Sequence, residues 1–594
     1  MSNEILSDQV GQPAANTNDS KWLQRGFLLA IVLGCAVAMS PNPADPDLWG
    51  HVRYGRDALT EGRVAPTTTY SFTADGYRWI NHENLAEICL AIGADTVGPV
   101  GLVVAKCLLS IALILLVMRQ AVRQNSHLLT VCVIALLVAV NVAFHWSVRP
   151  QLFSYAFFTV LVLLLSWCFE GWQGRWTLPG FGFGNHEYKT SDIDYSAQRM
   201  RCLWLAPILF LFWANSHGGF VAGYCIYSVY LVCRAIEVLF RHGREGYGVV
   251  RRFALMIVVA GLATLINPYG PGLHLWLFES LGTPRPEITE WHAPELFTLR
   301  SIWLWLIIAL FVSSITLSRR PRDLTHTLLM CVTLWQSLEH QRHIPFFAIL
   351  FGFWMPIHIE SMFRRLRVLR DDVQFGTGMN PTMKRLIACG LCLSFALLVG
   401  RLAVRVSDLR VDKSNYPVAA MQFIADHEMT GKMVVTYNWA QYVIGAFGPT
   451  SEDDRGIEVS FDGRFRTCYP QEVVDMNFDF VIGPGGPDQR WRSPNSPPLD
   501  SSRALEHDNP DIVLISRRQK HSAFVMQKNT DRWVLLYQDS LAQLWGLRKK
   551  YDDPHSLDFI SPAERHVTDE VQEGFVTWPA LPARGRKNAQ LAAN

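Results

Sequence analysis

The sequence predicts a polytopic α-helical membrane protein of about 11 spans, followed by a small extracytoplasmic α/β domain. Three observations predict this class. Only 18% of the 594 residues are charged, against about 25% in typical soluble domains. Apolar runs recur between residues 23 and 404, and Arg and Lys cluster in alternate loops between them. Beyond about residue 405 the composition becomes that of a soluble domain.

The predicted spans follow a cytoplasmic N-terminal tail of residues 1–22. The stretch "KWLQRGFLLAIVLGCAVAMS" at 21–40 has basic flanks and an apolar core, as in a signal peptide or an uncleaved span. The many later apolar runs favour a span, and roughly 20 such residues cross a bilayer. The candidate spans are 23–40, 99–119, 127–146, 150–170, 202–215, 219–240, 253–267, 301–318, 325–339, 344–362 and 385–404.

Basic residues indicate which loops face the cytoplasm, because Arg and Lys mark that side. Lys21 and Arg25 begin the series, which ends with "RRPRD" at 319–323 and "RRLRVLR" at 364–370. An odd number of spans then leaves the N-terminus in the cytoplasm and the C-terminal domain outside it. The segment 84–97, "NLAEICLAIGADTV", is predicted to be an interfacial or re-entrant helix, since another span would break the alternation.

The opposite loops carry most of the His, Asp and Glu residues of the membrane half. Ionisable groups near membrane depth cost about 2.5 kcal/mol or more, so they are rare without a function. Any one of them is easily explained as an interfacial cap, but so many on one side predict a shared polar cavity that opens outward. The clusters are "DPDLWGH" (45–51), "NHEN" (81–84), "WSVRPQ" (146–151), "NSHGG" (215–219), "NPYG" (267–270), "EITEWHAPE" (287–295) and "EHQRH" (339–343).

The composition argues against other classes of function. A net charge of +2, with basic residues in short clusters, gives no continuous surface for nucleic acid. The glycine-rich "GFGFGN" at 180–185 lacks a preceding strand, and no phosphate-binding loop of the G-x-x-x-x-G-K-[ST] type occurs. Most of the 12 cysteines lie in apolar runs and are expected to pack as small hydrophobes.

The first outer loop, residues 41–98, opens with a dense group of polar residues. Asp45 followed by Pro46 predicts a helix N-cap and first helical residue. The helix that follows is expected to be amphipathic and to lie flat on the outer surface. Asp47 and His51, four residues apart, then lie side by side, either as a surface ion pair or as a general base with a neighbouring imidazole.

The C-terminal region predicts a small α/β domain over residues 405–551. Short β-like runs are "KMVVTYN", "GIEVSFDG", "DIVLIS", "SAFVMQK" and "WVLLYQD", with "YPVAAMQFIADHE" and "PQEVVDMNFDF" as helices between them. The Gly/Pro/Ser-rich loop at 481–502 is either a lid or disordered. Residues 552–594 are predicted to be a poorly ordered tail, in which "EGFVTWPAL" at 573–581 is the part that can dock.

Several motifs carry a resemblance to a known superfamily. The stretch from Asp45 to Glu87 resembles the first outer loop of bacterial lipid-linked-sugar glycosyltransferases with the GT-C fold, in a branch similar to dolichyl-phosphate-mannose protein mannosyltransferases. The order of the later motifs is similar too, and together they cover most of residues 40–360. These motifs are "RPQLFSY", "NSHGGFVAGY", "INPYG" and "RHIPFFAI", with "DGRF" at 462–465 in the C-terminal domain.

This resemblance implies an integral-membrane, inverting glycosyltransferase of the bacterial cytoplasmic membrane. It implies transfer of a sugar from a polyprenyl-phosphate carrier to a glycan, lipid or protein acceptor on the outer side. An acidic residue of the first outer loop would act as general base: Asp47, with Asp45 as its rival. His51 is predicted to belong to the same catalytic group as these two aspartates.

The resemblance also suggests roles for the other polar residues. Donor or acceptor positioning is assigned to His82, Glu83, Asn215, His217, Glu290, Asp462 and Arg464, although Asp462 and Arg464 are first of all expected to form a structural ion pair. The phosphate of the lipid would be met by Arg149 and Arg342, since the guanidinium fork fits phosphate oxygens, with help from His343.

Two alternatives stay open on the sequence alone. A lipid-carrier transporter is disfavoured because no internal repeat is visible and the ionisable residues crowd the outer ends of the spans. A non-catalytic membrane scaffold is the other alternative. No cofactor is firmly predicted; a divalent metal held by His and Glu stays open, although no ligand spacing such as H-E-x-x-H occurs.

Overall fold

The computed structural model describes residues 17–172, 196–369, 379–450 and 455–583, so the glycine-rich 180–185 lies outside the described residues. Every segment predicted as a span is mainly helical. The helices of this half are α1 (Thr17–Ala38), α2 (Leu48–Glu61), α3 (Asn84–Thr96), α4 (Gly98–Arg123), α5 (Leu128–Ala143), α6 (Gln151–Cys168), α7 (Ala197–Arg201), α8 (Ala206–Ala214), α9 (Phe220–His242), α10 (Tyr247–Ala263), α11 (Pro271–Leu281), α12 (Ile302–Leu317), α13 (Leu324–Glu339), α14 (Ile344–Trp354), α15 (Pro356–Arg365) and α16 (Pro381–Val406).

Several of these helices make the chain a multi-pass membrane protein. In the described part of the chain, five stretches are long and apolar enough to cross a bilayer, and a sixth is added if α14 and α15, bent by 64°, form one span. The predicted number of about 11 spans stays a prediction. The five stretches are Lys21–Ala38, Gly98–Arg123, Gln151–Cys168, Phe220–Ala263 and Pro381–Val406.

Two helices differ most in their surroundings. Helix α14 is apolar on every side and buried from Pro345 to Trp354, which is the pattern of a helix in the centre of a bundle. It contacts α4, α5, α6 and α13. Helix α16 has no buried residue along its whole length and lies against α1 and α4 at the edge of the bundle. Its apolar surface is therefore open to contact with lipid.

The C-terminal region forms an α/β domain. Its six-stranded sheet has the order β3-β2-β4-β6-β5-β7, in which β3, β2 and β4 are parallel, while β1 pairs with β8 in a separate antiparallel ribbon. The strands are β1 (Arg410–Asp412), β2 (Gly431–Val435), β3 (Ile457–Val459), β4 (Ile512–Ser516), β5 (Trp533–Gln538), β6 (Ala542–Leu547), β7 (His566–Val567) and β8 (Phe575–Thr577). The helices are α17 (Val418–Asp426), α18 (Tyr437–Phe447), α19 (Gln471–Val481), α20 (Arg503–Glu506), α21 (Lys520–Lys528) and α22 (Arg548–Tyr551).

The structure of this region differs from the sequence prediction at three places. "SAFVMQK" is helix α21 and not a strand, because Ser522, Val525 and Met526 are its buried residues and their spacing is helical. Residues 552–583 are not a loose tail, since they supply β7 and β8 and "EGFVTWPAL" docks by pairing β8 with β1. The loop at 481–502 is not disordered, since its Arg490 and Arg492 form ion pairs with Asp479.

The segment 41–98, predicted as the first outer loop, is packed against the rest of the protein. Helix α2 is held between α3 and α18, and its residues Leu48–Val52 are all buried. The predicted flat amphipathic helix is therefore wrong. Asp45 is not its N-cap either: α2 begins at Leu48, and the Asp45 carboxylate accepts the backbone N–H of Asp47 in the preceding turn.

An aromatic cluster joins α2 to the C-terminal domain. Trp49 packs with its ring centroid 4.7 Å from Tyr442, 5.1 Å from Tyr416 and 6.3 Å from Trp578. Its indole N–H donates to the carbonyl oxygen of Pro579 at 2.7 Å. The two halves of the chain therefore meet through a buried, specific contact.

Candidate active site

A cavity of about 680 Å³ lies between the ends of the membrane helices and the C-terminal domain. Six of the seven polar loops predicted to share one face contribute to its lining; "NPYG" does not, but its Tyr269 hydroxyl accepts the backbone N–H of Asn81. The C-terminal domain adds Gln441 from α18 and the residues that follow β3. The predicted polar residues are therefore largely brought to one place.

One group in the cavity centres on Arg149. Its guanidinium lies 2.7 Å from Glu290, 3.5 Å from Asp45 and 3.7 Å from Asp47. Burial lowers the pKa of Arg149, but the charges of Asp45, Glu290 and Asp47 outweigh this and raise it above its usual value. Because three carboxylates already surround Arg149, it is poorly suited to meet a further anion.

Asp45 and Asp47 differ in what their carboxylates can do. The Asp45 side chain is 8% exposed and holds both the Asp47 backbone and Arg149. The Asp47 side chain is 27% exposed and faces the cavity, where Gly463 approaches it closely. Burial and the charge of Asp45 raise the pKa of Asp47 to about 6, against the lowering effect of Arg149. Asp47 is thus the more accessible carboxylate of the pair, and its pKa is raised.

His51 is paired with Glu87, a residue that the sequence analysis missed. The His51 Nδ1 atom donates to Glu87 Oε1 at 3.0 Å, and Glu87 Oε2 accepts from Asn81 at 2.6 Å. Burial lowers the pKa of His51, but the hydrogen bond to Glu87 and the charge of Glu83 outweigh it and raise the pKa to about 9. The imidazole is therefore a cation at neutral pH. A lone carboxylate inside the otherwise apolar 85–94 was the signal for Glu87.

Glu83 lies among three histidines. Its carboxylate is 3.6 Å from His217 Nε2, 3.9 Å from His82 Nε2 and 4.0 Å from His51 Nδ1. Burial raises the pKa of Glu83, but the charges of His82 and His51 outweigh it and lower the pKa to about 2. Glu83 is therefore a permanent anion and a weak base.

Hydrogen bonds fix the tautomer of His217. Ser154 Oγ accepts from the Trp213 indole at 2.7 Å, so its own proton points to His217 Nδ1 at 2.8 Å. The Gly219 N–H also donates to Nδ1, which leaves the ring proton on Nε2, toward Glu83. Burial lowers the pKa of His217 to about 3, so the ring is neutral.

A second charged group consists of Arg285, Arg342 and Arg466, of which only Arg342 was predicted. The guanidiniums of Arg285 and Arg342 each lie 4.6 Å from the Trp291 ring centroid. Burial and the charges of the other two arginines lower the pKa of Arg285 to about 10. Within the described residues none of the three forms an ion pair, and the Nη atoms of Arg466 have no hydrogen-bond acceptor. Guanidiniums that share a cavity without carboxylate partners suit an anion.

His51, Glu83 and Glu87 are also the described residues that best fit a divalent cation. Each offers one ligand atom, and these atoms lie within 4.8 Å of one another. An imidazole and two carboxylates suit Zn²⁺ or Mn²⁺. Since His51 carries its proton in the ion pair with Glu87, the ring would have to lose that proton before it could act as a ligand.

The remaining predicted residues have varied surroundings. His343 and Arg464 line the cavity, but Asn215 and Asp462 do not. Asn215 donates to the backbone carbonyls of Leu211 and Ile266. Asp462 is fully buried and pairs with Arg464 at 2.7 Å, the expected structural ion pair.

Gly50 makes room for the C-terminal domain. A Cβ atom at Gly50 would lie 2.0 Å from the Gln441 side chain of α18, and Gln441 lines the cavity.

Comparison with solved structures identifies similar folds. The archaeal oligosaccharyltransferase AglB from Archaeoglobus fulgidus, in complex with an inhibitory peptide and a dolichol-phosphate, matches with a TM-score of 0.51 and 10% identity over 85% of this chain and 70% of that one. ArnT from Cupriavidus metallidurans, bound to undecaprenyl phosphate, matches with a TM-score of 0.45 and 11% identity over 89% and 98%. No protein-family model and no curated protein sequence matches. The first likeness shows a shared fold.

Proposed function

We propose that this chain, whose fold is that of the GT-C glycosyltransferases, transfers a sugar from a polyprenyl-phosphate carrier to an acceptor hydroxyl. One observation carries the proposal. A single cavity contains an accessible carboxylate of raised pKa, Asp47, and three arginines without ion pairs, Arg285, Arg342 and Arg466. Transfer from a lipid phosphate needs a base for the acceptor and a counter-charge for the leaving group.

Asp47 is the proposed general base. The acceptor hydroxyl gives its proton to the Asp47 carboxylate while its oxygen attacks the anomeric carbon of the sugar. The bond from that carbon to the phosphate oxygen breaks, and the phosphate leaves with the electron pair. Attack opposite the leaving group inverts the anomeric carbon. A pKa of about 6 keeps most of Asp47 ionised at neutral pH while making it a better base than an ordinary aspartate.

The arginine cluster is proposed to hold the carrier phosphate. Arg342 follows the sequence expectation, whereas Arg149 is reassigned to holding Asp45, Asp47 and Glu290. The charge that develops on the leaving phosphate would be met by Arg285 and Arg466 as well, because neither has a carboxylate partner. Their half-buried position makes the interaction stronger than it would be in water.

The histidine group is proposed to position the acceptor. His217 is neutral and is fixed by Ser154, while His51 is a cation fixed by Glu87. Such side chains keep their orientation without substrate, and this pre-organisation is what positioning requires.

The site is proposed to lie on the outer side of a bacterial cytoplasmic membrane. The polar residues that the membrane half contributes to its lining come mainly from the loops opposite the basic ones, and this agrees with a cytoplasmic N-terminal tail of residues 1–22 and an extracytoplasmic domain from about residue 405. Residues 23–404 would then be the catalytic membrane domain.

The test begins with binding of the carrier to the purified full-length chain in detergent. Undecaprenyl phosphate should raise the melting temperature, whereas undecaprenol, which lacks the phosphate, should not. Arg342→Gln should reduce the shift, and Arg123→Gln, which changes an exposed arginine paired with Glu170, should leave it unchanged. Equal shifts for the phosphate and the alcohol would contradict the proposal. Release of undecaprenyl phosphate from labelled lipid-linked sugars then tests transfer.

A further inference from the structure

A second cavity, of about 920 Å³, lies where α16 meets the C-terminal domain. Its walls come from the last turns of α16, from residues 41–46 and from the residues that follow β2 and β4. It neighbours the active-site cavity, and nothing in the proposed transfer reaction uses it.

The charge of this second cavity is strongly positive. Arg401, Arg405, Arg410 and Arg518 line it, against a single carboxylate, Asp412. Within the described ranges, none of the first three forms an ion pair with a carboxylate. The Nε atom of Arg410 is buried without a hydrogen-bond acceptor, and its guanidinium lies 4.0 Å from the Phe575 ring centroid. Guanidiniums gathered in this way suit a phosphate group.

The sheet supplies neutral polar groups to the same cavity. Strands β2 and β4 are parallel neighbours; Thr436 follows β2, Ser516 is the last residue of β4, and Gln519 comes shortly after it. The Thr436 hydroxyl donates to Gln519 at 2.8 Å and accepts the Ser516 N–H at 3.0 Å. In open α/β sheets the carboxyl ends of parallel strands are where ligands bind. The sheet therefore favours a ligand at the place where the arginines meet.

The position of α16 identifies the kind of ligand. This helix has no buried residue, so lipid surrounds most of it, and Arg401 and Arg405 lie four residues apart on one face of its last turns. Arginines at the end of a span extend toward the headgroup layer. A phosphate that reaches this cavity from the bilayer is one carried by a lipid.

We propose that the second cavity binds the phosphate headgroup of an anionic phospholipid, where α16 leaves the bilayer. Arg401 and Arg405 reach the headgroup from the membrane side, and Arg410 and Arg518 reach it from the domain. Arg518 is held in place by Asn415 at 3.1 Å and by the Ser414 carbonyl oxygen at 3.0 Å. The lipid would join the membrane half to the C-terminal domain.

Native mass spectrometry of the full-length chain tests this binding. The protein is released from micelles that contain phosphatidylglycerol or phosphatidylcholine, and retained lipids are counted. Phosphatidylglycerol should be retained in preference to phosphatidylcholine, and Arg401→Gln with Arg405→Gln should weaken its retention at least tenfold. Lys384→Gln with Arg385→Gln removes the same two charges near the other end of α16 and should change nothing.

Three results would overturn the inference. These are equal retention of the two lipids, full retention by the double variant, and displacement of phosphatidylglycerol by millimolar inorganic phosphate, which would identify a soluble phosphate ligand. Both variants lie on the exposed α16, so circular dichroism should confirm an unchanged fold. Because the readout is phospholipid retention, its failure is distinguishable from failure of the proposed transfer reaction.

Discussion

Replacing Asp47 by asparagine should lower sugar transfer about 10²- to 10⁴-fold while the protein stays folded, because a positioned general base contributes a factor of that size. At 1.36 kcal/mol per tenfold change, this corresponds to about 2.7 to 5.4 kcal/mol of activation free energy. Asparagine keeps the shape of the side chain and loses only the proton acceptor. Arg149 remains paired with Asp45 and Glu290, so its charge is not left unpaired.

The assay follows transfer from a labelled polyprenyl-phosphate sugar at saturating acceptor, as a function of pH. In the wild type, the rate should fall about tenfold per pH unit below about 6, because Asp47 must be ionised to accept a proton and its pKa is raised to about 6. Asp95→Asn serves as the control, since Asp95 is an exposed carboxylate paired with Arg56. Wild-type rates in Asp47→Asn, or a larger loss in Asp45→Asn, would refute the assignment of the base.

Other perturbations test the anion site, the buried ion pair and the packing of α2. Arg466→Gln should weaken undecaprenyl phosphate binding about 10- to 150-fold, because a charge-assisted hydrogen bond contributes about 1.5 to 3 kcal/mol; an unchanged dissociation constant would exclude a phosphate role. The pKa of His51 is raised from 6.5 to about 9. Its pairing with Glu87 therefore stabilises the folded protein fully below pH 6.5, and this stabilisation is lost as pH rises through about 9. The melting temperature should fall over that interval, and Glu87→Gln should flatten the fall; an equal slope in the variant would contradict the pairing. Gly55→Ala should destabilise by about 1 to 3 kcal/mol, because its Cβ would lie 2.2 Å from the Glu87 carbonyl oxygen, whereas Gly34→Ala meets nothing within 4 Å; equal melting temperatures would show that α2 can shift.

The sequence predicted the helical segments well because lipid imposes a simple rule on them. An apolar run such as 344–362 must be helical to satisfy its backbone, whatever its neighbours are. The same rule does not reveal the 64° bend between α14 and α15. In the C-terminal domain, tertiary packing decides whether a short apolar run becomes a helix or a strand. The run that forms helix α21 was therefore wrongly predicted as a strand.

The candidate site was predictable where its residues stood in unusual places. Asp47, His51 and Glu83 are ionisable residues beside apolar spans. Ionisable groups near membrane depth cost free energy, so these residues are conspicuous in the sequence. Arg285 and Arg466 stand in polar loops, where an arginine is ordinary, and only the folded chain brings them together. The different exposure of Asp45 and Asp47 in the cavity depends on the turn before α2, and no spacing in the sequence determines that turn.

The packing of Trp49 determines how a substitution in the C-terminal domain would affect the cavity. The indole packs against Tyr442 and Trp578 of the C-terminal domain, and Trp49 is two residues from Asp47 in the sequence. Loosening this contact, for example at Trp578, is expected to shift Asp47, the proposed base, and to leave Arg285 and Arg342 of the membrane half in place. In a variant that transfers sugar slowly but still binds its lipid, the contact between Trp49 and Trp578 is therefore the first place to look for the cause.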